Sequence, residues 1–162
     1  PNGRIQAKLS GNSSDPVSSQ TKTSGGAGRS VTDWSKVSKL RKSVVSYAKS
    51  LEGSRYVFGG VDPKSGIDCS GLILVVMRDK AGLDLDHYSA SQATEGVAVS
   101  ADQMRPGDII AYDGQPRDGK VNHIAIYVGD GKAIHARGKN EGVQITAWDY
   151  AEPLAIRNLL GD

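Results

Sequence analysis

Gly66-Ile67-Asp68-Cys69-Ser70-Gly71-Leu72-Ile73-Leu74-Val75-Val76-Met77 decides how this chain is read. It holds the only cysteine in 162 residues. A loop rich in Gly and turn formers, 59–67, leads into it, and an unbroken apolar run follows. The thiol is therefore predicted at the first turn of a buried helix over 68–81, stopped by Gly82. Aligned backbone N–H groups and the positive end of the helix dipole favour thiolate over thiol there. His123 and His135 follow, each inside a strand-like segment. A cysteine at a helix start with histidines on later strands is the outline of a cysteine hydrolase.

Upstream, Trp34, Val37, Leu40, Val44, Ala48 and Leu51 recur at three- and four-residue steps. They predict one amphipathic helix that starts at Thr32-Asp33 and stops at Gly53, its stripe serving core packing. Downstream, strands are predicted at 108–112, 122–128, 132–137, 143–147 and 154–160. Helices first and strands afterwards, with short connections, indicate an α+β fold. Its expected form is N-terminal helices, the cysteine helix among them, on a meandering antiparallel sheet of about five strands.

The hairpin between the histidines tests whether they cooperate. With a loop of two or four residues, His123 and His135 fall on opposite faces of the sheet. A three-residue loop, Gly129-Asp130-Gly131 with Gly131 left-handed, puts His135 opposite Ala125 and both imidazoles on one face. Ile124, Ile126, Val128, Ile134 and Ala136 then form an apolar back. Only the odd loop sorts every side chain.

Roles follow from that placement. Cys69 is the nucleophile, its thiol acidified by the helix start and a neighbouring imidazolium. His123, at the start of its strand, is the base, and His135 holds its tautomer and charge as the third member of a triad. The Cys69 backbone N–H and the Tyr56 hydroxyl are oxyanion donors. Tyr56 reads equally as a core aromatic, and Asp68 as the cap of the cysteine helix. Asp108 is expected to make a turn hydrogen bond. His87 sits in a polar loop, solvated or lining a groove. Cys69, His123 and His135 could also bind zinc, but no close pair of ligands seeds such a site. The reading is of no metal and no cofactor.

Charge is uneven along the chain. Residues 1–32 carry Arg4, Lys8, Lys22 and Arg29 against Asp15, leaving residues 33–162 at −1 of an overall +2. The body has no blanket of positive charge for nucleic acid. Residues 1–32, dominated by Ser, Gly, Thr, Asn and Gln, read as a flexible linker to an upstream module, with a cloning remnant the plainer alternative. Residues 33–162 are expected to form one catalytic domain, a monomer. No apolar run is long enough to span a membrane.

Taken in order, these motifs resemble the NlpC-type family of papain-like cell-wall peptidases over roughly residues 40–150. The family's Tyr-x-Trp-Gly-Gly and Asp-Cys-Ser-Gly appear as Tyr56-Val57-Phe58-Gly59-Gly60 and Asp68-Cys69-Ser70-Gly71. Pro106-Gly107-Asp108, the block from His123 to Gly131, and Ile134-His135-Ala136 complete the pattern. The resemblance implies a papain-like fold and a peptidoglycan hydrolase acting on stem peptides at the bond from γ-D-glutamate to diaminopimelate or lysine. It implies Cys69, His123 and His135 as the triad, Tyr56 at the oxyanion or pocket wall, and Asp68 and Ser70 as contacts to the substrate's amino end. It also implies a secreted or wall-associated protein that works on muropeptides. The alternatives are an N-acetylmuramoyl-L-alanine amidase on a related scaffold and a non-catalytic wall-binding module. Two departures stand out. Phe58 replaces the usual Trp, keeping an aromatic wall without the indole N–H. Leu85-Asp86-His87-Tyr88-Ser89 replaces Leu-Pro-Arg-x-Ser, losing a rigid turn and a cation, while Gln92 keeps its place.

Overall fold

In the computed structural model, which describes residues 31–162, Asp33 caps a 3-10 turn at Trp34–Lys36. Residues 1–30, most of the stretch read as a linker, lie outside the described residues. The single helix expected from Thr32 to Gly53 is split. Val37 takes extended backbone, and Ser38 starts helix α1 (Lys39–Ser50) afresh, its hydroxyl accepting the Arg41 N–H at 3.2 Å. A side-chain oxygen that satisfies an orphan helical N–H makes a new start favourable, and spacing alone does not register it.

A small hairpin of β1 (Val61–Asp62) and β2 (Gly66–Ile67) feeds α2 (Cys69–Ala81), which ends at Gly82 in the left-handed region. The first turn of α2 is crossed closely by the preceding loop. A Cβ on Gly71 would lie 2.1 Å from the Gly60 carbonyl oxygen, so only glycine admits this approach. A short α3 (Ser89–Gln92) and β3 (Val97–Ala98) follow, and sequence periodicity does not reveal either.

The remaining strands are β4 (Ile109–Tyr112), β5 (His123–Gly129), β6 (Lys132–Ala136), β7 (Val143–Ala147) and β8 (Pro153–Asn158). They form a curled antiparallel sheet in the order β3-β8-β4-β5-β6-β7. The expected meander is therefore true of β4 to β7 alone. β8 returns to lie between β4 and β3, making six strands. The reason is the free edge of β4: all four of its residues are buried, and its backbone groups need a partner that water cannot supply.

Alternation divides the sheet between two cores. Ile109, Ile124, Ile126, Val128, Ile134, Ala136 and Val143 pack with α1 and α2. Ile110, Tyr112, Ala125, Tyr127, Ala133 and Ile156 pack on the other side with Met104. Each fully buried aliphatic side chain here contributes about 1.5–3 kcal/mol.

The β5–β6 hairpin reaches the expected parity by another route. Asp130 and Gly131, with φ of 53° and 77°, form a two-residue turn, and Gly129 pairs with Lys132. Two consecutive positive φ values are the signature of a type I′ turn, whose twist matches the strands. The odd residue is taken up in the strand, where the register shifts between Tyr127 and Gly129. Ile126 pairs with Ile134, which leaves His123 and His135 on one face.

One polar cluster ties α1 to the sheet. Arg41 is 1% exposed and donates to Asp108 Oδ1 at 2.9 Å, Pro106 O at 2.8 Å, Asn158 Oδ1 at 2.8 Å and Asp162 Oδ1 at 2.8 Å. Asp108 also accepts the Arg105 N–H at 2.8 Å, so the expected turn bond exists, with a buried ion pair added to it. Burial raises the Asp108 carboxyl above its usual range, against the pull of the Arg105 N–H and the Arg41 guanidinium.

Candidate active site

Cys69 opens α2, and the backbone N–H groups of Ile124, of Ser70 and of its own residue favour the anionic form of its sulfur. Ile124 follows His123 directly, so this contact seats the helix start against the start of β5. His123 Nε2 lies 2.7 Å from His135 Nδ1, and the two rings meet edge-on with centroids 5.0 Å apart. His135 is fully buried, and its Nε2 lies 2.9 Å from Thr146 Oγ1.

The protons in this chain can be placed from one end. The Thr146 hydroxyl donates to the Ala147 carbonyl at 3.0 Å, so its oxygen accepts from His135 Nε2–H. His135 Nδ1 is then the acceptor, and His123 Nε2–H the donor between the rings. That leaves the lone pair of His123 on Nδ1, the nitrogen not engaged by His135, where a base must hold it. A Thr146→Val variant is expected to keep the fold but lose this control. Its turnover should fall by about tenfold, the order of one lost positioning hydrogen bond, with Thr146→Ser retaining most of the rate. Steady-state kinetics of both variants check this.

The electrostatics correct the expectation of a resting thiolate. Burial, then the Asp68 carboxylate, push the Cys69 thiol up to about 11, outweighing the three N–H groups on the sulfur. Burial, with Arg137 nearby, takes His123 down to about 4. Burial, His123 and Arg137 take His135 down to about 3. All three shifts favour the uncharged forms, thiol and neutral imidazole, because burial takes hydration from each charged form.

The other residues singled out from the sequence fall in distinct places. Tyr56 bridges in parallel to Ile67 and packs against the core beside Cys69. Its hydroxyl is raised by burial first and then by Cys69 and Asp68. Asp68 is the helix cap, with both oxygens committed. Oδ1 accepts the Gly71 N–H at 2.8 Å and meets His87 Nε2 at 2.8 Å, while Oδ2 accepts the Gly59 N–H at 2.8 Å. His87 is exposed in its loop, as a surface histidine would be, but its ring is held: Nε2 pairs with Asp68 in the loop that carries the departure from the family pattern. Ser70 is buried, and its carbonyl accepts from Gln92 Nε2 at 3.0 Å, which pins α3 to the helix start. Phe58 is 87% exposed and forms no packed wall. The loop around it turns at Gly59 and Gly60, and the ring stands in solvent.

The sequence reading missed four neighbours of the imidazoles. Tyr112 pairs with His123 across β4 and β5, its ring centroid 6.0 Å from the His123 ring. Tyr150, in the turn after β7, lies 4.7 Å from the His135 ring and 6.4 Å from that of His123. Thr146 and Arg137 are the others. Strand parity with His135 could have flagged Arg137, whereas nothing local marks Tyr150. A separate cavity of about 370 Å³ lies between the 3-10 turn and Met104–Pro106, away from the cysteine. Among the described residues no three His, Cys, Asp or Glu side chains are arranged to hold a metal ion, which gives the zinc reading no support.

A cysteine-bearing helix start laid on a curled antiparallel sheet that carries paired histidines places the fold in the papain-like class. The chain belongs to the NlpC/P60 family, which residues 53–155 match. It is 40% identical over 104 residues to a γ-DL-glutamyl hydrolase of Bacillus subtilis strain 168, covering 64% of this chain but only 25% of that protein. It is 33% identical over 102 residues to the probable endopeptidase NlpC of Escherichia coli K12, covering 62% of this chain and 64% of that one. The solved NlpC/p60 domain of the peptidoglycan hydrolase SagA superposes with a TM-score of 0.65 at 32% identity, covering 73% of this chain and 97% of the domain. No helix among the described residues is long and apolar enough to cross a membrane.

Proposed function

We propose that the protein hydrolyses stem peptides of peptidoglycan at the γ-D-glutamyl amide of the diamino acid, through an acyl-enzyme on Cys69. The observation that carries this is the hydrogen-bonded line His123–His135–Thr146 at the start of β5, where the Ile124 N–H acts on the Cys69 sulfur. As the sulfur attacks the carbonyl carbon, its proton passes to His123 Nδ1, and His135 stabilises the imidazolium that forms. The oxyanion takes the Cys69 N–H and the Tyr56 hydroxyl. Collapse breaks the C–N bond, and His123 returns the proton to the departing amine. Water, deprotonated by His123, then opens the thioester and restores the thiol. The relative named γ-DL-glutamyl hydrolase supports a γ-glutamyl bond as the target. The substrate and the relatives' names favour work outside the cytoplasm at the wall.

Digestion of defined muropeptides, read by product mass, tests the proposal. Fragments ending in γ-D-glutamate are expected. Release of intact stems from muramic acid would replace the proposal with an amidase, and binding without cleavage would replace it with a binding module.

The pH dependence follows from the two shifts. His123 is the base only while neutral, so turnover should persist through mildly acid pH and fail as pH approaches 4. Alkylation of the empty site by iodoacetamide should climb towards alkaline pH, following a thiol raised to about 11, with no neutral plateau. A plateau from pH 5 to 8 would show a resting ion pair instead. Stability moves in the same sense. Between 6.5 and about 4 the unfolded chain binds the His123 proton and the folded chain does not, so stability falls as pH is lowered through that window.

A further inference from the structure

The imidazole pair has a cationic neighbour that the mechanism above leaves unused. Arg137 lies two residues beyond His135 on β6's path, so strand alternation brings it out on the same face as the imidazole. Gln144, paired with His135 in the sheet, accepts from Arg137 Nη1 at 3.4 Å. The guanidinium lies over the Tyr150 ring at 5.4 Å, and that ring covers His135 with centroids 4.7 Å apart. Arg137 is exposed and, among the described residues, has no carboxylate within ion-pair distance. An ordered, stacked cation without an acid beside it is receptive to an anion, and a guanidinium matches a carboxylate with two parallel N–H groups. Arg137 also bears on the titration of His123, His135 and Tyr150, and Arg117, from the loop before β5, on that of Tyr150.

The stack Arg137–Tyr150–His135 puts this cation on the histidines' side of the site. The imidazole protonates the leaving amine, so the side of the site beyond the imidazoles is the side the amine fragment occupies. Resting on the peptidase reading above, we infer that Arg137, braced by Tyr150 and Gln144, binds a carboxylate of the amine-side fragment and selects substrates whose diamino acid carries one free. Diaminopimelate offers two such groups, one on the main chain and one on the side chain.

The experiment uses three versions of L-Ala-γ-D-Glu-meso-diaminopimelate: unmodified, amidated at the side-chain carboxylate, and amidated at the main-chain carboxylate. The wild-type protein is expected to lose about tenfold in kcat/KM on one of the two amides, through KM, and the amide affected names the carboxylate bound. Arg137→Gln should show that same loss on the free acid and no longer distinguish the three, while Arg137→Lys keeps part of the selectivity. High salt should reduce the wild-type selectivity, which decides the matter even if a variant fails to fold. Equal cleavage of all three by the wild type would overturn the assignment of Arg137 alone. A uniform fall in kcat on all three in Arg137→Gln, with KM unchanged, would overturn it too, as a structural effect. No cleavage of any by the wild type would overturn the peptidase reading itself.

Discussion

Cys69→Ala is expected to lower turnover of a γ-D-glutamyl–diaminopimelate substrate by at least about a thousandfold, with melting nearly unchanged. The size follows from the role. Without the sulfur there is no acyl intermediate, and what remains is binding and the oxyanion donors. The fold should tolerate the change because the helix is held elsewhere: Asp68 caps it, Gly82 ends it, and Leu72, Ile73, Val76 and Met77 anchor it with no exposed area. His123→Ala should cost a similar factor, and the double variant little more than either single one, since nucleophile and base act in one step. Iodoacetamide should inactivate at this one position, as the chain has no other cysteine. Label on Cys69 with activity intact would remove the nucleophile from the proposal.

Asp108→Ala is expected to produce the largest loss of stability, about 3–5 kcal/mol, because it removes the buried carboxylate of Arg41 and leaves the guanidinium only Asp162, which is 40% exposed, as an ionic partner. In a protein of this size that lowers Tm by roughly 10 °C. The effect should greatly exceed that of substituting Asp79, whose pairing with Arg78 is largely in water. Replacing Arg41 and Asp108 together by Met and Leu should recover much of the loss, since the penalty is an unpaired buried charge and not a missing attraction. Denaturant unfolding of the single and double variants measures this. A loss under 1 kcal/mol for Asp108→Ala would mean that Asp162, Asn158 and the Pro106 carbonyl suffice for the guanidinium.

The helix of Cys69 and the strands of the two histidines were legible because each obeys a local rule. An apolar run between a capping Asp68 and Gly82 reads as a buried helix, and the apolar alternation of β5 and β6 has one sensible parity. That parity survived although its cause differs, a type I′ turn with the extra residue taken into the strand, because burial of Ile124, Ile126 and Ile134 dictates the face and the loop adapts to it. The break at Ser38 was not legible, since Val37 and Leu40 keep the helical spacing on both sides of it. Nor was the return of β8, which depends on an edge several strands away. His87 is the loop residue it reads as, and only its pairing was hidden, because its partner, Asp68, lies 19 residues earlier in the chain.

Sequence alone determined the papain-like family, the place of Cys69 at a helix start, and the sharing of one face by His123 and His135, since periodicity and motif order are properties of the chain itself. Tertiary structure alone decided the charge state of that trio and the company it keeps. Burial depth sets whether the sulfur and the imidazoles rest neutral. Thr146 and Tyr150 reach the histidines across strands and turns, where distance in space bears no relation to distance in sequence.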